Sequence, residues 1–588
     1  MTSLQGALGV FRRGLAESPE LRVGLGYTIG LAIAMALGRL LVPVLLQQVV
    51  DRGLLGADGF RPAFVYPACA AAAVAVVFIY VAARFTYARM VTISEGALAS
   101  LRVRAFAHIH ELSIAEQTAH KRGVFVSRVT ADVDTLAQFL EWGGLSWVIS
   151  GALMLGCAAA MFVYSWQLAL ITVAVVAPIV LVLRTMQRAM LGAYDRWRNR
   201  VSDTLSEVSE SVMGAAEVRA YGLEERTDRR LRTAIAGQYG AEMYAQRFAA
   251  TVFPIADLFG AMAIAAVVAV GAHYGRAWGL SLGDLVAFLF LVTLFLQPLM
   301  ELSEVFEQTQ TAIAGWRKVL TVIDLPVELD EPAHGVSLPA GPLPLRLEGV
   351  AYAYREGGPV LEDIDVDVAA GAHVAVVGET GSGKTTFARL VSRLADPSCG
   401  RILVGGIDLR DASPLSRRHA VRMVPQDGFL FDTSIRENVR FGGDGVDDGD
   451  IVRAFAALGL REWLDSLPEG LDTRVGERGE NISVGERQLV ALARAQVANP
   501  GLLILDEATS AVDPETERVI ADALERLSRG RTTVTIAHRL STAEAADSVL
   551  VFDAGRIVER GDHRSLVAAR GVYASLYESW LGNTRARA

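Results

Sequence analysis

The stretch 378-GETGSGKTTFARLVSRL-394 decides how the second half of this chain folds. It reads G-x-x-x-x-G-K-[ST], from Gly378 through Gly383 and Lys384 to Thr385. Glycine at these places lets backbone N–H groups wrap phosphate oxygens without a Cβ in the way. The following helix points its positive end at the same anions. Lys384 adds a point charge and Thr385 offers a hydroxyl to Mg²⁺. The apolar run "VDVAAGAHVAVVG" just before it reads as the strand that such a loop requires. Upstream, "LRLEGVAYAY" alternates like another strand.

Downstream, "PGLLILDEATSAVD" is an apolar strand ending in two acids, Asp506 and Glu507. An acid at the end of a buried strand is costly unless it meets a cation or a ligand. Asp506 suits the Mg²⁺ shell, and Glu507 is then placed to polarise a water against a γ-phosphate. "TTVTIAHRLS" is a further strand ending in His538. A histidine at the carboxyl end of a parallel strand stands where ligands bind in such sheets.

The first half is different. The chain has 588 residues, 52% of them hydrophobic, with mean hydropathy +0.33. The apolar residues concentrate before about residue 310. Six segments are long enough to cross a bilayer, which takes about 20 apolar residues. They lie near residues 24–49, 63–87, 145–164, 168–183, 249–274 and from 285 on. Arginine and lysine crowd the segments between spans two and three and between spans four and five, which predicts that both long loops and both termini are cytoplasmic. Those loops carry apolar residues at helical spacing. We expect spans two to five to continue as helices, turning near residues 116–122 and 221–226. Such tips suit contact with a cytoplasmic domain.

Ionisable residues inside spans are candidate sites. Arg39 lies in the first and Asp257 in the fifth, after Pro254; Asp257 either lines a substrate path or bonds across the bundle, with Arg39 as a partner. Glu301 and Glu304 sit at the end of the sixth and read as solvated. A Pro/Gly-rich stretch, residues 321–344, reads as a linker. The expected domains are residues 1–320 and 345–588. A net charge of −9 argues against nucleic acid as a partner. Cys69, Cys157 and Cys399 are too scattered for a disulfide or zinc framework and read as small buried hydrophobes. The N-terminus shows no signal-peptide pattern, and no peptidase domain is visible ahead of the spans, so a leader-cleaving peptide exporter is not expected.

The ordered set "GETGSGKTT", "MVPQDGFLFDTSIRENV", "TRVGERGE", "NISVGERQ", "LLILDEATS", "SAVD" and "IAHRLS" resembles the ATP-binding cassette (ABC) exporters of half-transporter type. "GVFVSRVTADVD" and "AAEVRAYGLEE" resemble that family's two cytoplasmic loops. The resemblance implies a multi-domain membrane protein: an all-α six-helix transmembrane domain with long cytoplasmic extensions, then an α/β P-loop nucleotide-binding domain. It implies ATP and Mg²⁺ as cofactors. Gly378, Glu379, Thr380, Gly381, Ser382, Gly383, Lys384, Thr385 and Thr386 would bind phosphate, and Tyr354 would stack on adenine, with Tyr352 the less favoured aromatic. Thr385, Gln426 and Asp506 would hold Mg²⁺. Glu507, His538, Lys384 and Gln426 would serve catalysis. Ser483 and Gly485 would address a nucleotide held by a second subunit, and Asp513 would communicate across that interface.

The signature departs from Leu-Ser-Gly-Gly-Gln at Val484 and Glu486. Ser483 and Glu486 fit a capping box that starts a helix well. Against this, a carboxylate about 6 Å from a phosphate charge repels it by roughly 3 kcal/mol at an effective dielectric near 20. The second effect is larger, which favours a weakened composite site. An intact phosphate loop with a weakened signature is similar to one half of asymmetric heterodimeric exporters, so we expect a heterodimer ahead of a homodimer. We expect export of a small amphipathic or hydrophobic solute across the cytoplasmic membrane. The alternatives are a siderophore importer or lipid flippase of the same fold, or an ATP-gated regulator without cargo.

Overall fold

The computed structural model describes residues 6–55, 60–119, 122–354, 357–426, 428–506, 514–537 and 540–585. The chain divides into two compact units: residues 1–108 with 123–324, and residues 109–122 with 325–588.

The first unit is all-helical. Among the described residues six helices are long and apolar enough to span: Leu25–Leu54, Pro62–Glu111, Gly123–Tyr164, Trp166–Met213, Asp257–Trp278 and Leu282–Ile323. Their lengths bear out the expected extensions. The helix Trp166–Met213 has 48 residues, about 72 Å at 1.5 Å per residue. A hydrocarbon layer is only about 30 Å thick. The surplus pairs along its length with the 51-residue helix Glu224–Tyr274. Between them a short helix, Ala215–Ala220, and Gly222 at φ +62° make the turn.

Side chains of the spans sort by environment. Met35, Leu153, Cys157, Leu168 and Phe288 form a common core. Val74, Val77 and Phe78 of the second span are 69, 60 and 59% exposed, a surface suited to lipid. Asp257 is exposed on its helix and Arg39 is half-buried; among the described residues no ion pair joins them. Cys157 is buried as expected, but Cys69 and Cys399 are exposed. The expectation of three buried cysteines therefore holds for one: Cys69 lies on the outward-facing second span and Cys399 opens β4, beside Gly400 at φ +82°.

At the end of the sixth-span helix Trp316, Val319 and Leu320 pack on Val10 of the N-terminal helix Ala7–Ala16 and on Leu101 and Leu136. Asp132, 5% exposed, accepts from Lys318 Nζ at 2.8 Å and from Arg128 at 2.5 Å.

Among the described residues the second unit holds ten strands: β1 (Leu345–Ala353), β2 (Pro359–Val368), β3 (His373–Gly378), β4 (Cys399–Val404), β5 (Ile407–Asp408), β6 (Val421–Val424), β7 (Leu502–Asp506), β8 (Thr532–Ile536), β9 (Ser548–Asp553) and β10 (Arg556–Gly561). One sheet is antiparallel, β2-β1-β4-β5; the other runs β10-β9-β3-β8-β7-β6. In the second, β9, β3, β8, β7 and β6 are mutually parallel. β7 and β8 are buried at every residue, as strands covered on both faces must be.

Residues 325–344 are docked against this unit. Glu331 accepts from Arg417 Nη1 at 2.9 Å and from Arg393 Nη1 at 3.3 Å, and Leu338 and Leu343 join the core. Val336 N and Ser413 N exchange bonds with Asp411 O and Val336 O, both at 2.8 Å. Residues 109–122, the tip after the second-span helix, belong to the same unit; there Ser113 Oγ donates to Glu328 Oε2 at 2.8 Å.

Candidate functional site

Parallel strands place their carboxyl ends on one edge of the sheet, where ligands bind in such folds. Gly378 ends β3, Asp506 ends β7, and Gln426 lies two residues past β6. Residues far apart in sequence thus share one edge. Gln426 is exposed there and Asp506 is 6% exposed.

The loop 378–383 turns through three positive φ angles: Gly378 at +152°, Gly381 at +88° and Gly383 at +104°. A Cβ at Gly378 would run into the Phe552 carbonyl, and one at Gly383 would stand 2.6 Å from Leu361 Cδ2. Glycine is therefore required at both by backbone angle and by space. Gly383 caps the helix Lys384–Val391, so the helix N-terminus faces into the loop. Glu379, Thr380 and Thr385 are exposed around it, whereas Ser382 and Thr386 are buried. Ser382 Oγ is buried with no hydrogen-bond partner. A buried hydroxyl in a cradle of N–H groups is suited to a phosphate oxygen.

Lys384 folds back over this cradle. Its Nζ donates to Gly378 O at 2.8 Å and Glu379 O at 2.7 Å. Burial lowers its pKa, and the charge of Asp506 opposes that shift. The ammonium and Asp506 therefore feel each other across one site.

Tyr354 stands beside the same helix. Its hydroxyl lies 3.1 Å from Thr386 Oγ1 and accepts from Arg389 Nη1 at 3.3 Å. Tyr352 meets it edge-on at 5.0 Å but is 8% exposed and packed in the sheet core. Arg389 is not among the sequence-based candidates, although it stands one turn beyond Thr385 on the helix Lys384–Val391.

The signature segment opens the helix Val484–Ala498. Ser483 Oγ accepts from Glu486 N at 3.2 Å, and Ser483 N donates to Glu486 Oε2 at 2.8 Å. Trp463 Nε1 donates to the other oxygen, Oε1, at 3.2 Å. Burial pushes this carboxyl up, but the Ser483 N–H and the indole hold it below its ordinary value. Both oxygens are thus held within the chain at the start of the helix, and the carboxyl stays ionised there. Val484 is 48% exposed at the first position of the helix, beside exposed Ser483 and buried Gly485. Glu507, Asp513 and His538 lie outside the described residues.

The donors at the sheet edge fit a hard cation: a hydroxyl from Thr385, a carboxylate from Asp506 and an amide oxygen from Gln426. Mg²⁺ prefers such oxygens, alongside waters and substrate phosphates.

Two family models match the chain: "ABC transporter transmembrane region" over residues 25–299 and "ABC transporter" over residues 361–510. An ATP-dependent lipid A-core flippase of Syntrophus aciditrophicus is 32% identical, over 83% of this chain and 81% of that protein. A fatty acid ABC transporter ATP-binding/permease protein of Mycobacterium tuberculosis is 36% identical, over 82% of this chain and 76% of that one. The solved structure of a bacterial Atm1-family ABC exporter with ATP bound superposes with TM-score 0.77 at 28% identity, covering 95% of this chain and 98% of that chain.

Proposed function

Since the chain belongs to the ABC transporter family, as a multi-pass half-transporter whose ATPase drives transport, we propose that it exports a small amphipathic or hydrophobic solute across the cytoplasmic membrane as one half of a heterodimer. The observation that carries the ATPase half is the loop 378–385 set at the carboxyl edge of the parallel sheet, with Lys384 within the field of Asp506. The relatives' printed cargoes, lipid A-core and fatty acid, favour an amphipathic solute and keep a flippase as the second reading.

The roles follow from position. Backbone N–H groups of 379–385 and Ser382 Oγ bind the β- and γ-phosphates. Lys384 leaves two carbonyls for phosphate oxygens, trading neutral acceptors for charged ones. Tyr354 offers a ring face to adenine. Thr385, Asp506 and Gln426 hold Mg²⁺, which when bound neutralises developing phosphate charge. Glu507 orients the attacking water and His538 contacts the γ-phosphate. Both termini and the helical tips face the cytoplasm. The arm formed by residues 187–250 exposes Val212, Met213 and Tyr221 at 70, 84 and 77%, a surface suited to a second subunit.

Val484 supports the choice of a different partner. Its branched side chain stands half exposed where Ser483 and Gly485 would meet the partner's nucleotide. Glu486, held at the helix start by Ser483 and Trp463, is the lesser ground for it. In the purified chain without another half-transporter, Val484→Gly raises ATP turnover by about tenfold, by restoring backbone approach to the phosphate. Glu486→Gln changes it by less than about threefold, because glutamine also completes a capping box. High turnover of the unmodified chain, insensitive to Val484→Gly, would sink the heterodimer. Uptake of solute into inside-out vesicles on ATP addition tests export; ATP-driven loss from them reverses the direction.

A further inference from the structure

A cavity of about 230 Å³ opens in the first unit between the helix Ala131–Gln138 and the far end of the sixth-span helix. Its wall includes Gln138, Phe139, Glu304, Glu307 and Gln308, and among the described residues no lysine or arginine lines it. Gln308 is only 8% exposed, and its Oε1 is buried without a hydrogen-bond partner. Its Nε2 reaches Glu304 Oε1 at 3.4 Å, so the carbonyl is the end left over. Opposite it stands Gly143, where a Cβ would come within 2.8 Å of Oε1 and 2.9 Å of Phe139 Cδ2. The wall residue Phe139 begins a π-helical turn, Phe139–Gly143, a distortion concentrated at functional sites.

The unmet requirement among the described wall residues is for a hydrogen-bond donor at Gln308 Oε1, and the exposed carboxylates of Glu304 and Glu307 favour one that carries positive charge. Two carboxylates supply negative potential, and a buried amide oxygen lacks an N–H. Whole drug-sized ligands fill about 300–1,000 Å³, so this space takes a headgroup while an apolar tail lies along the spans. We propose that this cavity binds a primary ammonium group, with Gln308 Oε1 accepting one N–H and Glu304 and Glu307 balancing the charge. Resting on the export reading, the inference narrows its solute to an amphipathic amine. A free amine and an aminophospholipid headgroup present the same chemistry.

The test uses the full-length chain, with its partner half where one is required, in nanodiscs of phosphatidylcholine and phosphatidylglycerol. Dansylcadaverine, an amphipathic primary ammonium, is titrated by fluorescence beside its neutral N-acetyl derivative. Dansylcadaverine binds at least about tenfold tighter than the neutral analogue, and Glu304→Gln with Glu307→Gln abolishes the difference. Gly143→Ala, which fills the space before Gln308, weakens the amine alone. Competition by added phosphatidylethanolamine identifies the lipid headgroup as the natural source; absence of competition identifies a free amine. Equal affinity for charged and neutral probes, or an unchanged preference in the double variant, overturns the proposal. ATP turnover on the same discs is read separately: its loss in the unmodified protein would count against the transport reading and leave the binding result standing.

Discussion

Lys384→Ala lowers ATP turnover at least about 100-fold, the scale on which removing one fixed donor from a charge-stabilising site acts. The amine at this position is buried and already bonded to two carbonyls of the loop. On the proposed reading its removal takes away the charge that would meet the β- and γ-phosphates, and it leaves Gly378 O and Glu379 O short of a donor. Lys384→Arg is not a rescue, because a planar fork does not fit a space shaped for a compact ammonium. The measurement is steady-state turnover in lipid together with ATP affinity by equilibrium binding. Turnover within about threefold of the parent, with folding intact, would remove Lys384 from the phosphate site.

Glu331→Ala destabilises the second unit by about 3 kcal/mol, the usual penalty when a buried charge loses its partner. The carboxylate itself is partly exposed, but the guanidinium groups it serves are not: Arg393 and Arg417 are 2% and 9% exposed as side chains. Arg393, two residues past the helix Lys384–Val391, also donates to Asp330 O at 2.8 Å and to Asp396 Oδ1 at 3.1 Å, so among the described residues Arg417 is the guanidinium that loses its carboxylate partner. Loss of Glu331 therefore loosens residues 325–344 and the end of that helix together. The bond from Arg417 holds the Glu331 carboxyl below its ordinary 4.5. A depressed folded-state pKa contributes stability that is present above the unfolded value and is lost as pH falls through the folded one. The gap between parent and variant is thus full near neutrality and closes below pH 4.5. Calorimetry of the full chain in nanodiscs at descending pH checks this. A gap that persists unchanged into acid would mean that Glu331 acts without its charge.

Much of the architecture was legible because its signals are local. Six apolar runs of bilayer length announce six spans, and the extensions show as helical spacing beyond them. The phosphate loop is legible because three glycine positions with forced backbone angles cannot be disguised. Tyr354 is legible from its place ahead of that loop, whereas nothing local marks Arg389 as the partner of its hydroxyl. The cysteines misled: reading all three as buried assigned to type what belongs to position, and only Cys157 faces the core.

By itself, the order of residues determined which segments are apolar enough to enter lipid and which loop has the phosphate-binding spacing, since both depend on neighbours along the chain. The folded molecule alone decided what Glu486 does. Its second partner, Trp463, lies 23 residues upstream, and no local pattern connects them. The same holds for Glu331 with Arg417, 86 residues away, and for Gln308 facing Gly143 across two helices. A charge's meaning depends on which donors reach it, and those donors are chosen by packing at long range, not by adjacency in sequence.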